Sequence, residues 1–321
     1  MNQERIAALE KTIETEYGNI AGMVVLREGK VEYENYFHGF APDDAVHVAS
    51  VTKSIFSGLI GIAIDKGYIK GVNQRVLDFF PGYTVQPGEK MIQHVKIEHL
   101  LTMTAPYKFD SEPFEAFFAS RNWVEAALDL LGGEESAGTF RYSPIIGAHI
   151  LSGILVNATG QSVLDFASKN LFSPLGIHAQ NVVFHSLEEQ IAWYEKDRHT
   201  RGWVVDPQGI NTASWGLTLA PMDMAKLGQL YLDGGMWEGK RIVPAHWIDE
   251  STKPHAKWGE LSYGCLWWIL DEKERIYAAL GDGGNAIYIN AKKNLVVAIA
   301  SLFTPDAKDR LELIRAHIER W

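Results

Sequence analysis

Ser50-Val51-Thr52-Lys53 is the one place in the 321 residues where a serine is followed by lysine at the third position. The pair opens an apolar run, Ser50 through Lys66, that contains no proline and stops at Gly67. Serine suits a helix N-cap or first turn, and glycine suits the position after a helix end. Residues three apart share a helix face, so the Lys53 amine can reach the Ser50 hydroxyl. A serine hydroxyl alone is too weak an acid to attack an ester or amide. A neutral amine within hydrogen-bond reach can take its proton, and burial favours the neutral amine. The positive end of the helix dipole favours charge developing at Ser50. Taken alone, the same four residues also describe a lysine that merely snorkels off a helix. The run is apolar on most sides, so a lysine in its first turn is expected to be shielded from water.

The elements that must position this pair are legible around it. Residues 4–16 read as an amphipathic helix, and 22–27 and 31–37 as strands joined at Glu28-Gly29-Lys30, a hairpin signal. Helical patterns follow at 96–103, 121–131, 144–158, 161–171, 221–232 and 244–251. Strand character returns at 263–270, 275–280, 286–289 and 295–301, and 306–320 reads as a closing helix. Strands at both ends with helices between predict an α/β (α+β) fold. In it an antiparallel sheet flanked by the terminal helices carries a mostly helical inserted lobe. The corresponding division is 1–68 with 257–321 for the sheet lobe and 69–256 for the helical one. The cleft between lobes is the natural site.

Composition excludes several classes. Thirty Lys and Arg against forty Asp and Glu leave a net charge of −10, so no basic footprint argues for nucleic acid. The single cysteine, Cys265, excludes an internal disulfide and fits a reducing compartment. The N-terminal residues lack a signal-peptide core, and no apolar stretch reaches the length of a membrane span. A cytoplasmic protein without membrane contact is the expectation. Eleven scattered histidines show no H-x-x-x-H spacing, so neither a metal nor another cofactor is expected.

Three ordered segments make the chain resemble the serine β-lactamase and penicillin-binding-protein family, in its class C-like branch. They are His47-Val48-Ala49-Ser50-Val51-Thr52-Lys53-Ser54, then Phe140-Arg141-Tyr142-Ser143-Pro144, then Leu280-Gly281-Asp282-Gly283-Gly284-Asn285. Supporting stretches lie at 97–104, 216–228 and 234–237, so the resemblance covers about residues 20 to 303. That branch includes esterases, D-aminopeptidases and 6-aminohexanoate-oligomer hydrolases.

The resemblance implies roles. Ser50 is the acylating nucleophile and, through its backbone N–H, half of an oxyanion hole. Lys53 is the base or proton relay, and Tyr142 matches the tyrosine that protonates the leaving group and activates water. A phenol titrates near 10, so Tyr142 needs a close cation to act as a base, and Lys53 is the candidate. Which of the two is the formal base stays open, because a coupled pair titrates as a unit. The second oxyanion donor is expected at the backbone N–H of Asn285, with Gly283 and Gly284 letting substrate lie close. The plain alternatives are a core tyrosine and a glycine-rich turn.

Two departures bear on substrate. Pro144 replaces an asparagine, and Asp282 stands where relatives have Lys or His. An anion there repels a substrate carboxylate, so carboxylate-bearing β-lactams are expected to be poor substrates. The expected partner is a small-molecule ester or amide, esters first. An amidase or D-amino-acid peptidase, or a catalytically silent binding protein on the same fold, are the alternatives. Trp215 is a candidate pocket wall, although most of the ten tryptophans are expected in the core. His199 and Asp197, near Arg198 and Arg201, could rim the cleft or be solvated loop residues.

Overall fold

The computed structural model describes residues 3–196 and 198–320. Its main sheet has eight strands, numbered here among themselves. They are β1 (Ile20–Arg27), β2 (Lys30–Tyr36), β3 (Ala256–Trp258), β4 (Leu261–Tyr263), β5 (Trp268–Asp271), β6 (Ile276–Gly281), β7 (Asn285–Asn290) and β8 (Leu295–Ser301). The order is β2-β1-β8-β7-β6-β5-β4-β3, and every neighbouring pair is antiparallel. Helices of eight residues or more are α1 (Gln3–Glu16), α2 (Val51–Asp65), α3 (Trp123–Leu130), α4 (Ile146–Thr159), α5 (Leu187–Lys196), α6 (Pro221–Leu232) and α7 (Arg310–His317). An antiparallel sheet drawn from both ends of the chain, with helices between, is the architecture the pattern predicts.

Alternation along the strands explains the layering. Met23, Val25, Val297 and Ile299 face Leu9 and Ile13 of α1 and Leu313 and Ile314 of α7. Val24, Leu26, Val296 and Ala298 face the opposite way, into a core shared with α2, α4 and α6. That larger core runs without a break from the sheet to the helical middle of the chain. At Gly228, α6 lies so close to the sheet that a Cβ would stand 2.5 Å from Val296 Cγ1. The β1–β2 turn is the two-residue type with both residues left-handed: Glu28 has φ 51° and Gly29 φ 73°.

Several boundaries differ from the sequence reading. The expected strand 263–270 is two strands, β4 and β5, separated by a break where Leu266 takes φ 62°. Strand β3 and helix α5 were not expected from the sequence: β3 spans three residues, and half of α5 is charged or glutamine. The helix expected over 306–320 begins at Arg310, because Asp309 Oδ1 accepts the Leu311 N–H at 2.8 Å and caps it. Likewise α3 starts after Asn122, whose side chain accepts the Glu125 N–H. No single helix among the described residues is long and apolar enough to cross a membrane.

Candidate active site

Helix α2 is apolar all round and buried from Val51 to Ala63, so it runs through the protein rather than over it. It ends at Lys66, with Gly67 left-handed at φ 76° in the position glycine favours. At its other end Ala49 is left-handed at φ 48°, an unusual backbone state for a residue with a Cβ. This sharp entry turns the chain out of the short strand Val46–His47 and places Ser50 at the N-cap. The Ser50 hydroxyl makes no capping bond. Instead it accepts a hydrogen bond from Lys53 Nζ at 2.8 Å.

Lys53 is only 1% exposed. Its Nζ also donates to the Ser214 carbonyl at 3.2 Å and stands 5.5 Å from the centroid of the Tyr142 ring. Tyr142 lies on the loop before α4, and its ring packs on Trp268 and Tyr263 at 5.7 and 6.3 Å. Burial pushes the Tyr263 phenol well up, and the neighbouring Tyr142 adds to it.

The Tyr142 loop is held by Glu112, which the sequence reading missed. Its carboxylate accepts the Ser143 hydroxyl and the backbone N–H groups of Ile145 (3.0 Å) and Ile146 (3.1 Å) at the start of α4. Burial raises the Glu112 pKa, while Ser143, the two N–H groups and the charge of Lys53 pull it back. No sequence pattern signals a lone glutamate in a loop thirty residues upstream.

His47 is a second missed residue. Its Nε2 accepts the Gly216 N–H at 2.8 Å, and its ring sits against Tyr194, Trp193 and Trp215 at 4.5, 5.2 and 5.9 Å. Burial lowers its pKa to about 3, so the ring is neutral. The bond ties the strand leading to Ser50 to the Ser214–Gly216 loop.

Two arms of one cleft meet at Ser50. One, of about 390 Å³, is walled by Phe114, Phe118, Ile145, Ile191, Trp215 and Phe303, with Pro144 and Ser214 beside them. The Ser214 hydroxyl is buried and has no protein partner. The other arm, of about 340 Å³, is lined by Tyr142, Trp258, Trp268, Leu280 and Gly281. Asp282 is exposed and lines both. Together with burial it drives the Tyr194 phenol up to about 12.

The structure brings together Ser50, Lys53, Tyr142, Trp215 and Asp282, and it puts Asn285, Gly283 and Gly284 elsewhere. The segment facing Ser50 is the end of β6, before the glycines. A Cβ on Gly281 would stand 2.4 Å from the Val48 carbonyl oxygen and 3.1 Å from Ser50 N. Asn285, 2% exposed, is its cross-strand partner one strand further in. Its Nδ2 donates to the carbonyls of Asp282 (2.9 Å) and His47 (3.3 Å), and its Oδ1 accepts the Ser301 N–H at 2.9 Å. Gly283 and Gly284, with φ 77° and 86°, leave the room that the Leu302 backbone and the Arg310 guanidinium take up. The correction follows from what each residue touches: Gly281 abuts Val48 and Ser50, whereas Gly283 and Gly284 abut the Leu302 backbone and Arg310.

Arg310 closes the back of that hairpin. It is 3% exposed, and its guanidinium donates to the Gly283 carbonyl (3.3 Å) and to Asn19 Oδ1. His199 pairs with Asp44 at 3.2 Å, and Arg201 with Asp223 at 2.9 Å. The Arg198 guanidinium lies 4.2 Å from the Phe40 ring centroid. None of the three lines either arm. Asp197 lies outside the described residues.

Known proteins share this fold. The family profile described as Beta-lactamase matches residues 9–319. The 6-aminohexanoate-dimer hydrolase of Paenarthrobacter ureafaciens is 23% identical over 309 residues, spanning 89% of this chain and 73% of that one. A family VIII carboxylesterase of solved structure superposes with a TM-score of 0.71 at 15% identity, covering 99% of this chain and 97% of the other. A D-stereospecific amidohydrolase from Streptomyces sp. does so with a TM-score of 0.69 at 14% identity, covering 97% and 98%. Likeness at these identities speaks to the fold.

Proposed function

The chain belongs to the Beta-lactamase family, and on that premise we propose that it is a serine hydrolase working through an acyl-enzyme on esters without a carboxylate near the reacting carbonyl. The observation that carries the reading is the 2.8 Å bond from Lys53 Nζ to a Ser50 hydroxyl that is not spent on capping, at the floor of a cleft. We read the cleft as the seam between a sheet lobe, 1–68 with 257–321, and a helical lobe, 69–256.

In this reading Ser50 Oγ bonds to the substrate carbonyl carbon while its proton passes to the Lys53–Tyr142 pair. The bond from that carbon to the leaving oxygen then breaks as the pair delivers the proton to it. Water, giving a proton to the same pair, attacks the acyl carbon, the bond from that carbon to Ser50 Oγ breaks, and the pair returns the proton to Ser50. Tyr142 lines the aromatic arm and not the apolar one, so the leaving group departs into the aromatic arm. The acyl group then occupies the apolar arm, where Trp215 is a wall. We assign the oxyanion donors to the backbone N–H of Ser50 and to the Gly281–Asp282 segment, in place of Asn285.

Asp282 is exposed, so its repulsion of a carboxylate is screened to about 1 kcal/mol, several-fold in rate. Pro144 offers no side-chain amide to an acylamino group. Both disfavour penicillins and favour plain esters. The test is a fluorophosphonate probe with p-nitrophenyl butyrate, nitrocefin and a D-amino-acid anilide as substrates. Labelling that vanishes in Ser50→Ala, with the butyrate turned over fastest, is expected. Folded protein that neither labels nor turns over any of the three sinks the reading and leaves a silent binding protein.

A further inference from the structure

Resting on the assignment of the aromatic arm to the leaving group, we infer that this arm is a cation subsite and that the departing half of the substrate carries an ammonium group. Four of the seven large apolar side chains that are exposed among the described residues line the two arms: Phe114, Ile191 and Phe303 the apolar one, Trp258 the aromatic one. Trp258 is the extreme case, 59% exposed on the edge strand β3. Exposed apolar side chains gathered around one cleft, rather than scattered, are what marks a ligand-binding groove. Its ring stands 5.6 Å from Trp268, which in turn lies 5.7 Å from Tyr142, so three aromatic rings succeed one another along the arm.

The choice of a cation over a neutral ring comes from charge. Among the described residues lining this arm there is no Lys, Arg or His, and the one charged side chain is Asp282. Aromatic faces and a carboxylate around a cavity of about 340 Å³ match an ammonium, which is attracted by ring quadrupoles and by the anion together. A neutral aromatic group gains nothing from Asp282. In the reaction the ammonium takes no part in bond making. It leaves as an amino alcohol whose oxygen has received the proton from the Lys53–Tyr142 pair.

The experiment compares butyrylcholine with 3,3-dimethylbutyl butyrate, a neutral ester of the same shape and acyl group. The expected kcat/KM ratio is about 10- to 30-fold in favour of the cation. It should fall several-fold in Trp258→Ala and in Asp282→Asn. Equal kcat/KM for the two esters, or a ratio unchanged in both variants, overturns the inference while the hydrolase reading stands. Calorimetric titration of Ser50→Ala with benzyltrimethylammonium gives an answer without turnover. Binding that is lost when Trp258→Ala is added supports the subsite, and no binding overturns it. Ammonium binding by a protein that hydrolyses neither ester retains the subsite and removes the hydrolase reading.

Discussion

Gly216 donates its backbone N–H to His47 Nε2 at 2.8 Å, across 169 positions of sequence. The turn that carries Ser50 and the loop that receives Lys53 are thereby joined directly. The junction's stability depends on a histidine that must stay neutral.

A pH dependence follows. The His47 pKa is lowered by burial from 6.5 to about 3. Between those values the unfolded chain binds a proton that the folded one does not, so stability rises with pH and is lost on acidification. This group contributes a slope of about 1.4 kcal/mol per pH unit from pH 6.5 downward. Urea midpoints measured from pH 7.5 to 4.5 should show the decline, and His47→Gln should flatten it. An unchanged slope in the variant refutes the assignment.

The relay makes a kinetic prediction. Lys53→Met and Tyr142→Phe should each lower kcat by about 10²–10⁴-fold with KM little altered, since both remove proton transfer and neither empties an arm. Tyr142→Phe keeps the ring against Trp268, so its loss reports on the hydroxyl alone. A Tyr142→Phe enzyme within a factor of three of the parent removes Tyr142 from the mechanism.

Glu112 should matter through position. Glu112→Ala leaves the Ile145 and Ile146 N–H groups and the Ser143 hydroxyl without their acceptor, a loss of about 2–4 kcal/mol in stability. Because Tyr142 is carried on the same loop, kcat should fall while Ser50 still reacts with a fluorophosphonate. Chemical denaturation and probe labelling on one preparation check both parts. Loss of labelling equal to the loss of kcat contradicts a role through Tyr142.

Gly281 and Asn285 separate the two accounts of the hairpin. Gly281→Ala drives a methyl into the Val48 carbonyl and toward Ser50 N, so activity should drop at least ten-fold, with about 1–3 kcal/mol of stability. Asn285→Ala removes three hydrogen bonds that hold the turn, and should cost about 2–3 kcal/mol. Its backbone N–H is untouched by the change, so the comparison rests on Gly281. Full activity in Gly281→Ala contradicts our placement of the oxyanion donors.

What could be read in advance was local. Ser50 and Lys53 are three apart on one helix, so their contact follows from helix geometry alone, and the apolar run with Gly67 shows where that helix lies. The sheet was legible because β1, β7 and β8 have apolar interiors and are bounded by turns. Contacts across long separations were not. Glu112 reaches Ser143, and Ser214 reaches Lys53, through tertiary folding that no spacing encodes. Asn285 was misplaced for a related reason. The glycine pattern marks a hairpin, but which of its residues abuts Ser50 is set by how the finished sheet packs on α2. Helix α5 escaped notice because half its residues are charged or glutamine, and tertiary packing on His47 through Trp193 and Tyr194 compensates.

The pairing of β1 with β8 has a temporal consequence. Residues 20–27 leave the ribosome well before residues 295–301, their partner on one side. Until then β1 has only β2 beside it, and an isolated hairpin is marginal in water. Ser50 is likewise synthesised more than two hundred residues before Gly281, which abuts it. A nascent chain therefore carries Ser50 without this neighbour until the later strands have been made. The centre of the sheet closes only with that long-range pairing, the slow kind of contact to form.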